Sequence, residues 1–318
     1  MKYDRNGVIQ LLILSGLGLA VVLSLVIPQT FQRDQDEPLP EISVVIREPD
    51  GSGWFSFRQG LDHAAGDLGA DIRFIPLSAE NDSAEQEKLI QREAQGGTDV
   101  FVIAAADPER LEQKLPELVG SCPVVALESD MSAADDRVVP ENRRMGEAMA
   151  RDLLRGWDGG TVLLINSAEK STAINQRLDA AYAVLRGAGV PLEVRTCLPS
   201  QLPEQLPRFA SQTAAHDVMV FDHSTTEKAA EAKESGGMTS QIYGVGTSSV
   251  IIDALERGVL RSVAVWSDYA AGYLSAARAI KLCEGTYTWK NRDVDFFIVH
   301  REDIYDPEIQ KILFPVAS

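Results

Sequence analysis

The sequence has little cysteine. Only three of its 318 residues are cysteine, and these, Cys122, Cys197 and Cys283, lie far apart. An odd number of distant cysteines argues against a disulfide framework, and the absence of a C-x-x-C pair or a close His/Cys cluster argues against a metal site. We therefore interpret the three cysteines as small, buried hydrophobic residues.

Positive charge is also scarce. The formal net charge is -17 at pH 7, whereas proteins that bind nucleic acid normally present a basic face. We therefore expect no nucleic-acid partner. An acidic net charge is compatible with a soluble domain on either side of a membrane, so it does not indicate the compartment.

The sequence motifs of common enzyme classes are missing as well. There is no nucleophile elbow, no P-loop and no G-x-G-x-x-G after a strand, and Gly244-Val245-Gly246 has no third glycine. The four histidines are scattered along the chain. We expect a protein that is not an enzyme and that needs no cofactor.

A long uncharged run lies near the N-terminus. Residues 8–27, VIQLLILSGLGLAVVLSLVI, could span a bilayer as a helix. Lys2 and Arg5 precede this run and mostly acidic residues follow it, so the positive-inside rule places residues 1–7 in the cytoplasm and the body outside. The alternative is a cleaved signal peptide, although its apolar region would normally be shorter and no A-x-A site is present.

Both interpretations of residues 8–27 place the body outside the cytoplasm. It would be held at the cell membrane, in the periplasm or outside the cell, or else be secreted to the periplasm after cleavage. Residues 28–40 are polar and contain proline, which indicates a short tether.

Strands and helices alternate from residue 41 onward. Ile42–Ile46 is a β-branched run that predicts a strand buried on both faces. The turn residues DGSG and a helix with aromatic residues at its start follow this strand. Ligands of open α/β sheets bind beyond the carboxyl ends of the strands, so this loop is predicted to form one wall of a cleft.

The strand–helix alternation continues to the end of the chain and predicts parallel sheets. The pattern restarts near Pro140, which indicates two doubly wound lobes. The other predicted strands are residues 71–76, 99–105, 123–127, 161–166, 192–197, 217–221, 241–245, 260–266 and 293–299.

Taken in order, several segments resemble one known family. They are VVIREPDGSGWFSFRQGLDHAAGDLGADI, QREAQGGTDVFVIAAADPERL, CPVVALESD and GVGTSSVIIDALERGVLRSVAVWSDYAAGYLSAARAIKLCEG. Over residues 41 to about 301 the chain resembles type I periplasmic binding proteins, most closely the ribose- and galactose-binding group, and the effector domain of lac-repressor-type regulators. Those regulators carry a helix-turn-helix where this chain has its apolar run, so no DNA-binding role is expected.

The resemblance implies an α/β fold with two doubly wound parallel-sheet lobes joined by a three-segment hinge. The apolar run adds one transmembrane helix before them. The N-lobe would comprise residues 41–141 plus 267–290, and the C-lobe residues 142–266 plus 291–318. Such lobes close on a small ligand, usually a sugar.

The resemblance also implies which residues bind the ligand. Sugar sites in this family place aromatic faces against the ring and planar polar groups against the hydroxyls. The candidates are Asp50, Trp54, Phe55, Asp107, Glu128, Asn142, Lys170, Arg177, Asp222, His223 and Trp266.

Several candidates have a purely structural alternative. Core packing is the alternative for Trp54 or Phe55, and a solvated turn is the alternative for Asp50. Asp107 is in a position typical of a helix N-cap.

The C-lobe candidates have similar alternatives. Arg177 could form a surface ion pair, His223 could lie in a solvated loop and Trp266 could pack in the hinge. Asn142 is a candidate for either the cleft or the hinge.

The sequence departs from the family's usual sugar site at three places. Gly246 stands where sugar-binding members usually carry an aspartate, Ser129 stands where an arginine is common, and residues 104–106 are alanines where a polar residue is usual. A buried polar ligand needs partners for its hydroxyls. Three alternatives therefore remain open: a sugar ligand, another small solute, and a degenerate or protein-binding cleft.

We expect an extracytoplasmic solute-binding protein, with a carbohydrate as its ligand, that delivers the ligand to an ABC-type importer by hinge closure. The alternative is a membrane-anchored sensory or protein-interaction domain of the same fold with an altered cleft. The partners would be a permease or a sensor, and residues 8–27 would contact the membrane. The site assignment requires Trp54, Glu128, Asp222 and Trp266 to approach one cleft between the lobes.

Overall fold

A computed structural model describes residues 38–167, 170–236, 238–286 and 294–314. The predicted membrane span and most of the predicted tether lie outside these residues, as do parts of both predicted lobes near the C-terminus. Among the helices that the structure describes, none is both long enough and apolar enough to cross a membrane.

Parallel strands build the first sheet, in the spatial order β2-β1-β3-β4-β5. Its strands are β1 (Glu41–Val45), β2 (Asp71–Ile75), β3 (Val100–Ala104), β4 (Val124–Leu127) and β5 (Asp136–Val138). The central strand β3 is buried at every position, as expected for a β-branched, apolar strand that helices cover on both faces. β5 was not predicted, because DRV is short and charged and carries little strand signal.

The second sheet has the order β11-β10-β9-β8-β6-β7. Its strands are β6 (Thr161–Asn166), β7 (Leu192–Thr196), β8 (Ala215–Val220), β9 (Gln241–Val245), β10 (Ser262–Trp266) and β11 (Phe296–Val299).

Helices cover the faces of both sheets. They are α1 (Phe55–Leu68), α2 (Ser83–Gln95), α3 (Pro108–Val119), α4 (Asn142–Gly156), α5 (Thr172–Gly187), α6 (Leu202–Thr213), α7 (His223–Glu234), α8 (Ser249–Glu256), α9 (Asp268–Cys283) and α10 (Pro307–Leu313). The helix α10 was not predicted from the sequence.

One strand corrects the prediction of purely parallel sheets. β11 runs antiparallel to β10, with Val263 opposite Val299 and Trp266 opposite Phe296. β11 follows α9, which packs against the first sheet, so the chain enters the second sheet from the side of the other lobe. Its direction is therefore opposite to that of strands that follow a helix of their own lobe.

The chain passes between the two sheets three times, after β5, after β10 and after α9. α1 and α9 therefore pack together on the first sheet, and α4 and α5 pack together on the second. We call the two sheets with their helices the first lobe and the second lobe.

Glycines let the paired helices approach closely. A Cβ atom on Gly60 of α1 would lie 2.0 Å from the carbonyl oxygen of Tyr269 in α9, and one on Gly272 of α9 would lie 2.0 Å from that of Phe57. In the second lobe, a Cβ atom on Gly146 of α4 would lie 2.0 Å from the carbonyl oxygen of Arg177 in α5. The position of α5 thus depends on Gly146.

The cysteines only partly match the prediction that all are buried. Cys197 is buried, Cys122 is half-buried and Cys283 is exposed. Cys283 is the last residue of α9, where the helix leaves the core of the lobe.

Candidate functional site

The carboxyl end of β1 brings two charged side chains into the interior. Arg47 and Glu48 follow the fully buried residues Val45 and Ile46, and each of the two is only 3% exposed. They lie at the carboxyl ends of the parallel strands of the first lobe and face the second lobe. Ligands of open α/β sheets usually bind at this end of the strands. Ions buried so deeply require partners.

Glu48 receives its partners from both lobes. Within the first lobe, the indole Nε1 of Trp54 donates to Glu48 Oε1 at 3.0 Å. From the second lobe, His223 Nε2 lies 3.0 Å from Glu48 Oε1 and Ser224 Oγ donates to Glu48 Oε2 at 2.7 Å. The carboxylate therefore joins the carboxyl end of β1 directly to the N-terminal turn of α7.

The electrostatics agree with an ionised pair between Glu48 and His223. Burial disfavours both charged forms, but the nearby Glu48 carboxylate outweighs burial and raises the pKa of His223 to about 9. Burial alone would also raise the pKa of Glu48, yet Arg47 and His223 bring it below its ordinary value. At neutral pH His223 is a cation and Glu48 an anion.

Arg47 connects Glu48 to Glu128 at the end of β4. Its Nε donates to Glu128 Oε2 at 3.0 Å. Burial works against the charged guanidinium, but Glu48 and Glu128 raise the pKa of Arg47 above its ordinary value. Glu128 has a backbone φ of 61°, in the left-handed region that side chains other than glycine adopt at a cost.

Asn142 connects Glu128 to the second lobe at the first chain crossing. The amide Nδ2 of Asn142, which begins α4, donates to the backbone oxygen of Glu128 at 3.0 Å. On its other side, Arg177 Nε donates to Asn142 Oδ1 at 2.7 Å. A single buried amide thus joins both lobes.

Arg177 is a buried cation that does not use all of its hydrogen-bond donors within the described residues. Its Nη1 donates to the backbone oxygen of Phe221 at 2.8 Å, and its guanidinium carbon lies 4.8 Å from the centre of the Trp266 ring. Burial lowers the pKa of Arg177 to about 10. Within the described part of the chain, the buried Nη2 atom has no hydrogen-bond partner.

Asp222 lies at the N-terminus of α7, next to His223. It accepts from the backbone nitrogen of Thr225 at 2.9 Å and from Thr225 Oγ1 at 2.6 Å, and Ser167 also donates to it. Asp222 is therefore an N-cap whose carboxylate is well satisfied. Its position fixes the start of α7 and with it the place of His223.

These buried residues form one group, which we call the inner cluster. Its Trp54 and His223 rings meet edge to face with their centres 5.6 Å apart. The inner cluster consists of Arg47, Glu48, Trp54, Glu128, Asn142, Arg177, Asp222, His223 and Trp266.

Further contacts between the lobes surround the inner cluster. Asp107, the N-cap of α3, accepts from Lys170 Nζ of the second lobe at 2.9 Å. Ser129 Oγ accepts from the backbone nitrogen of Ala173 at 3.2 Å. Asp107 thus acts both as a helix cap and in an ion pair across the cleft.

Two candidates lie outside the inner cluster. Asp50 forms an exposed ion pair with Arg58 at 2.6 Å, and Phe55 is 63% exposed. Both line a groove of about 940 Å³ on the outer side of the cleft. Phe55 begins α1 on the side away from the core, whereas Trp54, one residue earlier, points inward.

The structure therefore brings most of the predicted candidates together. Trp54, Glu128, Asp222 and Trp266 all belong to the inner cluster. Their roles in binding remain predictions. Sequence reasoning missed Arg47 and Glu48, although two charges directly after a buried strand could have identified them.

The inner cluster combines hydrogen-bond acceptors, hydrogen-bond donors and flat apolar surfaces. Its carboxylates and amide accept, its guanidinium, imidazole and indole groups donate, and two indole rings give flat apolar faces. No group of three or more His, Cys, Asp or Glu residues that could hold a metal occurs in the ranges that the structure describes.

Comparison with known proteins identifies the family. The model of the periplasmic binding protein domain matches residues 42–286, more than half of the chain. The chain belongs to this family. Members of the periplasmic binding protein family bind solutes and are not enzymes, which confirms the expectation from the sequence. No curated protein sequence matches the chain.

Solved structures of periplasmic binding proteins share the fold. An ABC transporter solute-binding protein from Agrobacterium vitis with bound D-fucose has a TM-score of 0.78 at 19% identity, covering 86% of this chain and 100% of that one. A carbohydrate transporter solute-binding protein from Agrobacterium radiobacter in complex with D-arabinose has a TM-score of 0.80 at 17% identity, covering 87% and 100%.

A further similar structure is the XylFII–LytSN complex. Its TM-score is 0.73 at 14% identity, and the match covers 84% of this chain and 100% of that one. At these identities the likeness shows the fold alone, including the two-lobed arrangement that places the inner cluster between the sheets.

Proposed function

We propose that this protein is an extracytoplasmic solute-binding protein that holds a small polar solute, a carbohydrate, between its lobes and delivers it to an ABC-type importer. The observation that carries the proposal is Arg177. Its guanidinium is fully buried between the two lobes and lies over the Trp266 ring, and its Nη2 donor has no partner among the described residues. Such an arrangement is costly for stability alone.

A carbohydrate fits the chemistry of the inner cluster. Hydroxyl groups both donate and accept, so they can pair with the carboxylate of Glu128 and with the donors of Arg177 and His223. The ring of a sugar has an apolar face that suits an indole such as Trp266. Two structures of the same fold hold D-fucose and D-arabinose, which supports this choice of solute.

The proposal includes the location of the protein. Solute-binding proteins of this family act outside the cytoplasm, and residues 8–27 would serve as the membrane anchor or, alternatively, as a cleaved signal. The lobes would close on the solute about the chain crossings, and each lobe would present one surface to the permease.

A thermal-shift screen of the full chain in detergent tests the proposed ligand class. We expect D-fucose, D-arabinose or a related pentose or hexose to raise the melting temperature, because a ligand at about 100 times its Kd adds roughly 2.7 kcal/mol to stability. The panel should include polyols and amino acids as other small solutes. If no carbohydrate shifts the melting temperature and one of the other solutes does, the carbohydrate assignment is wrong.

A matched pair of arginine substitutions tests the proposed site. Arg177→Gln should abolish the shift caused by the sugar, because it removes the buried donors. Arg186→Gln, on the exposed face of the same helix, should retain the shift. An equal ligand-dependent shift in both variants would place the site elsewhere.

A second candidate function is a sensory or protein-interaction domain. The XylFII–LytSN complex is, by its description, an assembly of a protein with this fold and a partner chain. Crosslinking of the full chain in its native membranes, followed by mass spectrometry, separates the two functions. An ABC permease subunit among the products would support delivery, whereas a membrane-bound sensor would support the alternative.

A further inference from the structure

Glu48 satisfies donors that belong to the opposite lobe. Both of its oxygens are used, one by His223 at 3.0 Å and the other by Ser224 at 2.7 Å. The side chain is 3% exposed. A side-chain carboxylate therefore occupies the place in the cleft where the oxygen atoms of a bound solute would meet the second lobe.

The loop after β1 is shaped to allow this contact. A Cβ atom on Gly53 would lie 2.1 Å from the His223 ring, so the loop passes directly against the imidazole. A Cβ atom on Gly51, two residues earlier, would have nothing within 4 Å. Only one of the two glycines is thus required for the lobes to meet.

Several other side-chain contacts between the lobes are more exposed. Lys170, which pairs with Asp107, is 70% exposed, and an exposed ion pair contributes little. Ser200 donates to Glu80 at 3.1 Å at an exposed site, as Ser52 does to Glu227 at 2.6 Å. The contact of Glu48 with His223 and Ser224, by contrast, combines opposite charges and hydrogen bonds with burial.

We propose that Glu48 acts as a built-in closing group, which holds the two lobes together in the absence of a solute and which an incoming solute must displace from His223 and Ser224. The first part depends only on the geometry of the lobes. The second part rests on the proposed function.

The proposal has a physical consequence for binding. A solute that must first separate Glu48 from its donors can bind only to open molecules. Its apparent affinity is the intrinsic affinity multiplied by the fraction of molecules that are open. Truncating one partner of a buried, hydrogen-bonded charge pair at a protein interface weakens the contact by roughly thirtyfold or more. Removing the carboxylate should therefore lower the ratio of closed to open molecules by about tenfold or more.

Hydrogen–deuterium exchange of the full chain in detergent, without solute, tests the first part. In Glu48→Ala we expect amide exchange to rise about tenfold or more at residues 47–54 and 222–226, which face each other across the cleft. Exchange in the central strand β3 should not change. Glu87→Gln, which alters ion pairs within the first lobe only, serves as the matched control.

The two glycines provide an independent test that leaves the carboxylate in place. Gly53→Ala should increase exchange at the same two segments, because the added methyl group collides with His223. Gly51→Ala should behave like the unmodified protein. If exchange at the two segments is unchanged in both Glu48→Ala and Gly53→Ala, or is already as high in the unmodified protein, the closing role is refuted.

Adding D-arabinose or D-fucose tests the second part. In Glu48→Ala either sugar should bind more tightly than in the unmodified protein and restore protection at both segments. Weaker binding to Glu48→Ala would overturn the displacement step. Opening of the ligand-free variant without any response to sugars would contradict the proposed function and leave the closing role intact.

Discussion

At the scale of single residues, the titration of His223 gives a testable pH dependence. Glu48, Glu128 and Arg47 face this imidazole from the first lobe, and their balance with burial raises its pKa from 6.5 to about 9. A raised pKa adds stability below the ordinary pKa, and that stability is lost as the pH rises through the folded value. We expect about 3 kcal/mol to be lost between roughly pH 6.5 and 9.

Thermal melting from pH 6 to pH 10 measures this loss. Asp268 also lies close enough to interact with His223, but the pKa of Asp268, about 6, puts its titration below the window. His223→Gln, which keeps a donor but cannot titrate, should flatten the profile between pH 6.5 and 9. An equally steep decline in His223→Gln would assign the pH dependence to other groups.

The residue scale is also where the sequence was least informative. The aromatic and acidic candidates were chosen by resemblance, and most of them lie in the inner cluster. Arg47 and Glu48 were overlooked. Glu48 meets His223 and Ser224 of the second lobe, which is distant in sequence, so these partners could not be read from local sequence.

At the scale of elements, the contact between α4 and α5 sets the position of Arg177. We expect Gly146→Ala to lower the melting temperature and to weaken sugar binding, because its Cβ atom would lie 2.0 Å from the backbone oxygen of Arg177 and would push α5 away. Gly156→Ala is the control, because a Cβ atom on Gly156, at the end of the same helix, would have nothing within 4 Å.

Thermal melting and titration with sugar measure the two effects separately. A stable Gly146→Ala protein that binds sugar normally would show that α5 can shift without moving the site.

Elements with a clear periodic pattern were predicted well from the sequence. β6 and β9 begin and end at the predicted residues. β5 was missed because its three residues include two charges, and α10 because it lies beyond the recognisable family segments. The direction of β11 could not be inferred from its own residues, because it depends on which lobe the preceding helix joins.

At the scale of the whole molecule, the second chain crossing contains a titratable group. Asp268 begins α9 and accepts a hydrogen bond from Thr247 of the second lobe. Burial raises the pKa of Asp268 to about 6, although Thr247 and the cations His223 and Arg177 oppose that shift. An acid with a raised pKa costs stability when it ionises, so stability is lost as the pH rises from about 4 to about 6.

Asp268→Asn should remove this cost while its amide oxygen still accepts from Thr247. We expect the variant to melt several degrees above the unmodified protein at pH 7 and close to it at pH 4. Asp253→Asn, in an exposed ion pair with Arg257, should show no such pH-dependent gain. A lower melting temperature of Asp268→Asn at pH 7 would show that the ionised carboxylate stabilises the hinge.

The backbone of Glu128 has a consequence for how this cleft can change by mutation. A residue other than glycine at a φ of 61° costs roughly 1 kcal/mol, and a change to glycine would remove that cost together with the acceptor of Arg47. The buried Arg47 would lose a charged partner, and that loss costs more than the backbone strain, so stability alone keeps glutamate at position 128. A lineage could therefore reach glycine here only together with a change at Arg47, and the two positions are expected to vary as a pair.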